Sequence, residues 1–380
     1  MVKTAIVTTS IRMPVFLEDI ARNIASHRHE ADVDITVIGD VKTPVQAGPF
    51  CQGLAEQYRI PVAYLDLAAQ ERVLAPYPEL VSLVPLNSGT RKLLGGFLAW
   101  REGCDTLILV DDDNFPTDID FVGAHGIVGH SPELKLVSSE SGWFNPYEAV
   151  VEERNLPIYP RGFPWGQRSP SSPSHRIASQ SRRVVLNSGL VLEDPDVDAV
   201  SRLFWPIRVT GMRPEWSPNF GLAPGTWSSF NDQNAAYAGD FIPIYFAPPS
   251  TGRNADIWAS YVVCRLVEHF GDVVSFGHPL VRQLRNPHDL WEDLDRELVN
   301  IRAADQFTAL LRSIPLTTPT YLEALGELLS GALRRLPEVA GLSEAGRSMM
   351  ENFFKEYLVW QGVCRRVTAG ERTPALAQVK

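Results

Sequence analysis

Short apolar runs rich in β-branched residues alternate with amphipathic stretches through the first third of the chain, and this order constrains the fold most. The runs at residues 4–9, 33–39, 62–65 and 106–110 have the composition of buried strands. Helical patterns lie between them, at residues 14–24, 44–58 and 91–100. Because strand, helix and strand in succession form parallel crossover units, we predict an α/β fold with a mostly parallel sheet flanked by helices.

The rest of the chain is less regular. Many Pro, Gly, Ser and Arg residues between positions 141 and 183 predict a long loop. A strand is predicted at 184–192, followed by a helix that begins near Asp196. Farther on, Thr320 and Glu323 have the spacing of a helix capping box, and another helix is predicted over 343–367. We therefore expect a catalytic domain over residues 1–297 and a C-terminal helical appendage over 298–380.

Composition narrows the class of partner. The chain has 380 residues and a formal net charge of −10. An acidic protein binds nucleic acid and anionic membranes poorly, so we expect a small phosphorylated ligand held at a local site. The sequence contains no C-x-x-C pair, no signal-peptide layout at its start, and no apolar run of the roughly 18 residues that a membrane span requires. These features predict a cytoplasmic protein that neither spans a membrane nor binds nucleic acid.

The sharpest local motif is Asp111-Asp112-Asp113, directly after the apolar run at 106–110. In open α/β sheets, ligands bind outside the carboxyl ends of the strands. Three carboxylates at this position repel one another unless a cation neutralises them. Mn²⁺ or Mg²⁺, bound by one or two carboxylates and by substrate phosphates, meets that requirement. The alternatives are an acidic turn and the strand-end aspartates of a phosphatase or nuclease. The sequence has neither G-x-G-x-x-G after the first strand nor a P-loop motif.

Other polar residues are predicted to lie at the same edge of the sheet. Thr9 and Arg12 follow the first strand, and Asp40 follows the second. Asp40 is a candidate acceptor for a nucleobase or ribose, and Arg12 a candidate for binding base or phosphate. Arg91 and Lys92 open the helix before the aspartate strand, where backbone N–H groups and two cations suit a phosphate, although solvated helix charges explain them equally well.

Seven segments form an ordered set, among them Thr-Ser-Ile-Arg at 9–12, Asp-Asp-Asp at 111–113, Arg-Gly-Phe-Pro-Trp-Gly-Gln-Arg at 161–168 and Arg-Asn-Ala-Asp-Ile-Trp at 253–258. The set resembles the reversibly glycosylated polypeptides of plants, also known as UDP-arabinopyranose mutases. Their corresponding stretches are P-T-I-R, D-D-D, R-G-Y-P-F-S-L-R and R-Y-D-D-M-W. The resemblance covers roughly residues 4–297 and implies a GT-A fold, a Rossmann-like architecture of enzymes that act on nucleotide sugars.

The resemblance also implies roles for individual residues. Asp111 and Asp113 would ligate the divalent cation, and Asp112 would help to hold the nucleotide. The remaining nucleoside contacts would come from three residues: Thr9, Arg12 and Asp40.

The arginine that becomes glycosylated in this family falls on Arg168. A guanidinium stays protonated and is therefore a poor nucleophile. We instead expect Arg161 and Arg168 to bind the diphosphate.

The half of the site that would hold the reacting sugar departs from the family. Asp256 matches the second aspartate of the family's pair and is a candidate base or stabiliser of an oxocarbenium-like centre, or else a helix N-terminal acid. Ala255 replaces the first aspartate, and the family's histidine near residues 280–287 is absent. We therefore predict a glycosyltransferase that uses a nucleoside-diphosphate sugar, with UDP as the expected nucleotide, and an unidentified acceptor. The alternatives are a UDP-sugar mutase and a non-catalytic nucleotide-sugar-binding subunit, and a homo-oligomer is left open.

Overall fold

The computed structural model describes residues 3–168, 174–286 and 288–370. Within them, thirteen strands form a single mixed sheet. The strands are β1 (Thr4–Ser10), β2 (Val33–Gly39), β3 (Val62–Leu65), β4 (Thr106–Val110), β5 (Asn114–Pro116), β6 (Glu133–Ser139), β7 (Val150–Glu152), β8 (His175–Ser181), β9 (Val184–Glu193), β10 (Val209–Met212), β11 (Asn219–Leu222), β12 (Asn234–Ala238) and β13 (Val273–Gln283). The α-helices are α1 (Phe16–Ser26), α2 (Ala47–Tyr58), α3 (Leu67–Leu74), α4 (Lys92–Arg101), α5 (Phe121–His125), α6 (Ala199–Phe204), α7 (Ala255–Phe270), α8 (Leu290–Ser313), α9 (Tyr321–Arg335) and α10 (Glu344–Thr368).

The N-terminal part of the sheet is parallel, in the order β3-β2-β1-β4. Every residue of β4 is buried, as expected for a parallel strand covered on both faces. Helix α4 packs so closely over β1 that a Cβ on Gly95 would lie 2.5 Å from Val7 Cγ1. Glycine at this position therefore lets the helix approach the sheet, and the helix begins with Lys92 beside the residue that follows β4.

Beyond β4 the sheet is mixed. β12 pairs antiparallel with both β4 and β9, whereas β13 runs parallel to β9. The predicted α/β architecture, with helices flanking the sheet and a helical C-terminal region, is confirmed. The antiparallel pairings do not follow from the sequence, because strand partners far apart along the chain leave no local pattern.

The long loop predicted between residues 141 and 183 is wrong in part. This region contains β7 and β8, and β8 pairs with β6 over seven residues. The sequence does not reveal β8 because the strand is exposed on both faces and so lacks alternating apolar and polar residues. Positions 169–173 of the predicted loop lie outside the described residues.

The C-terminal helices share a core with the part of the chain that carries the sheet. Helix α8 runs through position 297, so the expected domain boundary falls inside a helix. Trp258 of α7 packs against Phe307 of α8 and Phe353 of α10, with ring centroids 4.6 and 5.6 Å away. Helices α9 and α10 form where predicted, and Thr320 Oγ1 accepts a hydrogen bond from the Glu323 N–H at 3.4 Å. None of the described helices is both long and apolar enough to cross a bilayer.

A buried polar network joins α5 to the central strands. His125 Nε2 lies 3.0 Å from Asn234 Oδ1, and Asn187 Nδ2 lies 3.1 Å from His125 Nδ1. Ser275 Oγ donates to Asn187 Oδ1 at 2.8 Å. These partners assign the proton to Nε2 of a neutral imidazole. Burial lowers the pKa of His125 to about 4, because a charged ring inside the protein loses its hydration.

The lowered pKa of His125 predicts a pH-dependent stability. The unfolded chain binds a proton at this residue near pH 6.5, whereas the folded protein does so only near pH 4. Stability is therefore lost as the pH falls through this window, by about 3 kcal/mol at about 1.4 kcal/mol per pH unit. We expect the stability advantage of the wild type over His125→Gln, measured by urea denaturation, to shrink by this amount between neutral pH and about pH 4. A difference that does not change with pH would contradict the buried, neutral histidine.

Candidate active site

A polar cleft of about 440 Å³ opens at the carboxyl end of β4. Besides His288, its wall carries five aspartates and five lysine or arginine side chains: Asp111, Asp113, Asp196, Asp232, Asp256, Lys92, Arg161, Arg253, Arg285 and Arg296. The predicted site residues that the structure brings together here are Lys92, Asp111, Asp113, Arg161 and Asp256. Asp111 and Asp113 of the strand-end triple aspartate therefore lie in the wall of a highly charged cleft.

Asp111 is held by a buried lysine. Lys92 is 3% exposed, and its Nζ lies 2.5 Å from Asp111 Oδ1 and 2.8 Å from Asp232 Oδ1. Burial lowers the pKa of Lys92, but the two carboxylates more than offset this, so its pKa is raised and it stays charged. Desolvation, with Asp232 and Asp113 nearby, raises the pKa of Asp111 to about 6 against the opposing charge of Lys92.

Asp232 does not stand out in the sequence. It precedes β12, and the antiparallel pairing of β12 with β4 places Asn234 opposite Val110. The Asp111 N–H donates to Gln233 O at 3.1 Å. A residue 121 positions away therefore lies beside the triple aspartate, and only knowledge of the β4–β12 pairing reveals it.

Asp113 is held by a separate hydrogen-bond network, formed by Gln283, Arg285 and Asp194. Gln283, at the end of β13, donates from Nε2 to Asp113 Oδ2 at 3.2 Å. Arg285 donates from Nη2 to Gln283 Oε1 at 3.2 Å and from Nε to Asp194 Oδ2 at 3.0 Å. Burial raises the pKa of Asp113, and the hydrogen bond from Gln283 partly opposes this. Each of the two candidate metal ligands is thus oriented by its own set of buried partners.

The carboxylates of Asp111 and Asp113 fit a divalent cation that takes its other ligands from a substrate. In the described residues, no group of three or more His, Cys, Asp or Glu side chains is arranged to enclose a metal ion. Asp111 and Asp113 would therefore supply two carboxylates and leave the remaining positions to phosphate oxygens and water. Mg²⁺ and similar hard cations are commonly bound in this way beside nucleotide phosphates.

Arg161 forms salt bridges with two aspartates in the cleft. Its Nε donates to Asp196 Oδ1 at 2.9 Å, its Nη2 to Asp256 Oδ2 at 3.0 Å, and its Nη1 to the carbonyl oxygen of Arg253. These bonds direct its guanidinium at protein atoms and position Asp196 and Asp256, while the expected diphosphate contact stays a prediction. Asp196 follows the end of β9, and Asp256 lies in the first turn of α7. The fold therefore places two carboxylates on either side of Arg161.

The two carboxylates bound to Arg161 have different pKa values. Asp196 is buried, but Arg161 outweighs the desolvation and lowers its pKa well below the usual range. At Asp256 the desolvation dominates, and Asp232 and Asp196 add to it against Arg161, which raises its pKa to about 7. One carboxyl group therefore stays ionised, and the other is poised to exchange a proton near neutral pH.

The predicted nucleoside residues lie along the neighbouring edge of the sheet, at the ends of β1, β2 and β4. Ser10 Oγ donates to Asp112 Oδ2 at 2.7 Å and so links the end of β1 to the triple aspartate. Arg12 Nη1 donates to Asn286 Oδ1. Thr9 Oγ1 donates to the carbonyl oxygen of residue 38 at 2.8 Å.

Asp40 is buried at the end of β2, and its Oδ1 accepts the Val41 N–H at 2.7 Å. The hydrogen bonds of Thr9, Arg12 and Asp40 fix the positions of these side chains at the ends of β1 and β2. Contact of the three residues with a nucleoside stays a prediction.

No family model matches this sequence. No curated protein matches it either. Among solved structures, the chain is similar to glucosyl-3-phosphoglycerate synthase from Mycobacterium tuberculosis in complex with Mn²⁺, UDP-glucose and phosphoglyceric acid, with 12% identity, coverage of 82% of this chain and 79% of that chain, and a TM-score of 0.39. It is also similar to a mannosyltransferase from Pyrobaculum calidifontis in complex with GDP-Man and Mn²⁺, with 10% identity, coverage of 95% and 86%, and a TM-score of 0.42. Both TM-scores lie below 0.5, so the proposed function rests on the residues of this chain. The resemblance to reversibly glycosylated polypeptides is not supported by these comparisons.

Two predicted site residues point away from the cleft. Arg91 is 5% exposed and donates to Gln70 Oε1 at 3.1 Å and to Val84 O at 2.6 Å. Successive residues of a helical turn point about 100° apart, so Arg91 faces the interior when Lys92 faces the cleft. The structure thus gives Arg91 a packing role in place of the predicted phosphate contact.

Arg168 is anchored outside the cleft. Its Nη2 lies 2.5 Å from Asp198 Oδ2, and its guanidinium stacks 4.0 Å above the centroid of the Trp165 ring. The Phe163 carbonyl accepts a further hydrogen bond at 3.3 Å. The structure thus places Arg168 outside the cleft wall and in contact with protein groups, and its expected contact with the diphosphate stays a prediction.

Proposed function

We propose that the protein is a metal-dependent glycosyltransferase that uses a nucleoside-diphosphate sugar, with UDP as the expected nucleotide and Mn²⁺ or Mg²⁺ as the cation. The observation that carries this proposal is the pair Asp111 and Asp113 at the carboxyl end of β4, each oriented by separate buried partners at the wall of one cleft. Two fixed carboxylates without a third protein ligand suit a cation that also binds a diphosphate.

The charge pairing in the cleft supports the need for a cation. All five lysine and arginine side chains of the described cleft wall are already paired with carboxylates of the protein. A diphosphate entering the cleft would therefore find few unpaired positive charges and several carboxylates. A divalent cation on Asp111 and Asp113 would reverse that repulsion and would also stabilise the departing diphosphate as a Lewis acid.

Asp256 is the best placed general base among the described residues of the cleft. We propose that it accepts the proton of an acceptor hydroxyl while the hydroxyl oxygen forms a bond to the anomeric carbon. The bond from that carbon to the diphosphate oxygen breaks, and the electron pair leaves with the diphosphate. A carboxyl group whose pKa is about 7 suits this task near neutral pH, and Arg161 holds it in position.

The test is a thermal-shift screen of UDP, GDP and ADP with and without Mn²⁺. Ligand binding to the folded state stabilises it by about 2.7 kcal/mol at 100 times the dissociation constant, so one nucleotide should raise the melting temperature only when Mn²⁺ is present. Incubation with the matching nucleotide sugar and candidate acceptors should then release the nucleoside diphosphate together with a glycosylated acceptor.

Other outcomes of the same experiment point to other functions. A nucleotide sugar whose ring form changes without release of nucleotide would identify a mutase. Binding without turnover would identify a nucleotide-sugar-binding subunit. Hydrolysis of simple phosphate esters would identify a phosphatase, and the absence of any nucleotide-dependent shift would overturn the proposed site.

A further inference from the structure

Strand β8 forms one edge of the sheet and is unusually open. Among the described strands it pairs only with β6, over all seven of its residues. Every residue from position 176 to position 181 is exposed, and Ile177 is 50% exposed. The backbone N–H and C=O groups on the outer side of such a strand are available to another strand.

The usual features that protect an edge strand are scarce in β8. Its register with β6 is regular over seven consecutive pairs, without a bulge. Its sequence, HRIASQS, contains neither proline nor lysine, and Arg176 is its single permanently charged residue. Natural edges are commonly shielded by such residues, by bulges or by very short length, so β8 has the properties of an interface strand.

The start of β8 is also held in place. The His175 ring packs 5.2 Å from the Phe144 ring and 5.9 Å from the Trp216 ring, centroid to centroid. Phe144 and Trp216 are themselves buried. An edge that is ordered before association loses less conformational entropy when it pairs.

We propose that β8 pairs antiparallel with β8 of a second copy of this chain, around a two-fold axis at Ala178. Antiparallel pairing of identical strands generates a closed dimer in which both copies use the same surface. Position 178 is the midpoint of residues 175–181, so this axis pairs all seven residues. The proposed dimer is independent of the proposed enzymatic function.

The side chains of β8 are compatible with this pairing. Arg176 faces Gln180 of the second copy, and His175 faces Ser181, so no like charges oppose each other. Ile177 faces Ser179 and lies diagonal to the second Ile177, within reach of a long side chain. This arrangement would cover the exposed isoleucine of each copy. One pair of seven-residue strands is small beside the roughly 800 Å² per partner of stable interfaces, so we expect a weak dimer that depends on concentration.

The test uses opposite charges at the axis. Sedimentation velocity of the full chain should show a dimer population that rises with concentration. Ala178→Lys and Ala178→Asp each place two like charges opposite each other and should weaken dimerisation at least about tenfold, whereas an equimolar mixture of the two variants should recover a heterodimer. Val359→Lys, on the exposed side of α10, is the matched control for an added surface lysine and should dimerise like the wild type.

Each outcome decides the proposal. A wild type that stays monomeric at the highest soluble concentration overturns it. Dimers that persist in both single variants indicate a different interface and overturn it as well. Recovery of dimer in the mixture supports it, and this result also shows that both variants are folded.

Discussion

Replacing Asp113 with alanine is expected to lower the rate of sugar transfer by about 100- to 1000-fold. In the proposed mechanism, loss of this carboxylate would remove a ligand of the cation that stabilises the leaving diphosphate. Such stabilisation is worth several kcal/mol, and each 1.36 kcal/mol corresponds to a factor of ten in rate. Mn²⁺-dependent binding of nucleoside diphosphate, measured by calorimetry or thermal shift, should be lost in parallel.

The stability of the Asp113→Ala variant separates this role from a structural one. Burial raises the pKa of Asp113, so its charged form is unfavourable in the folded protein at neutral pH. Its removal should therefore leave the melting temperature of the protein without ligand unchanged or slightly higher. Asp118→Ala, at an exposed position after β5, is the control and should keep both binding and activity. Full Mn²⁺-dependent nucleotide binding by the Asp113 variant would remove Asp113 from the proposed site.

Replacing Arg161 with leucine is expected to cost about 3–5 kcal/mol of unfolding free energy, because it leaves the buried Asp196 without its charge partner. Asp256 loses its hydrogen bond at the same time. Urea denaturation at neutral pH measures the loss. Arg22→Leu removes an exposed arginine that pairs with Glu18 and Asp19, and it should change the unfolding free energy little, because water screens such surface pairs.

The pH dependence of the Arg161→Leu penalty provides a second test. In the wild type, Arg161 lowers the pKa of Asp196 below its unfolded value, so this group adds stability above about pH 4. Without the arginine, burial alone raises that pKa, and the folded protein binds the proton more tightly than the unfolded chain does. The penalty should therefore be largest at neutral pH and shrink as the pH falls towards 5. A penalty that stays constant over this range would show that lost packing, and not charge pairing, explains the effect.

Much of the fold follows from local patterns. The four parallel strands and the helices between them show the apolar runs and amphipathic spacing that their burial requires, and β1 to β4 form within a residue of the predicted bounds. The capped start of α9 also follows from the spacing of Thr320 and Glu323. β8 is not predicted from the sequence because an exposed strand buries neither face. The alternation of apolar and polar residues that identifies a strand arises only where one face is buried.

For the candidate site, the sequence by itself determined the acidic cluster at the end of β4, because the motif lies directly after the strand. The predicted parallel order of the strands also places their carboxyl ends at one edge of the sheet. Only the tertiary structure decided which residues accompany it. Asp232 lies beside Asp111 through the pairing of β12 with β4, and Gln283 reaches Asp113 from the end of β13. The same structure turns Arg91 and Arg168 towards other partners. The physical reason is that a charged side chain binds the nearest complementary group in space, and the choice between a ligand and a buried carboxylate is set by distances of a few ångströms that no local sequence pattern records.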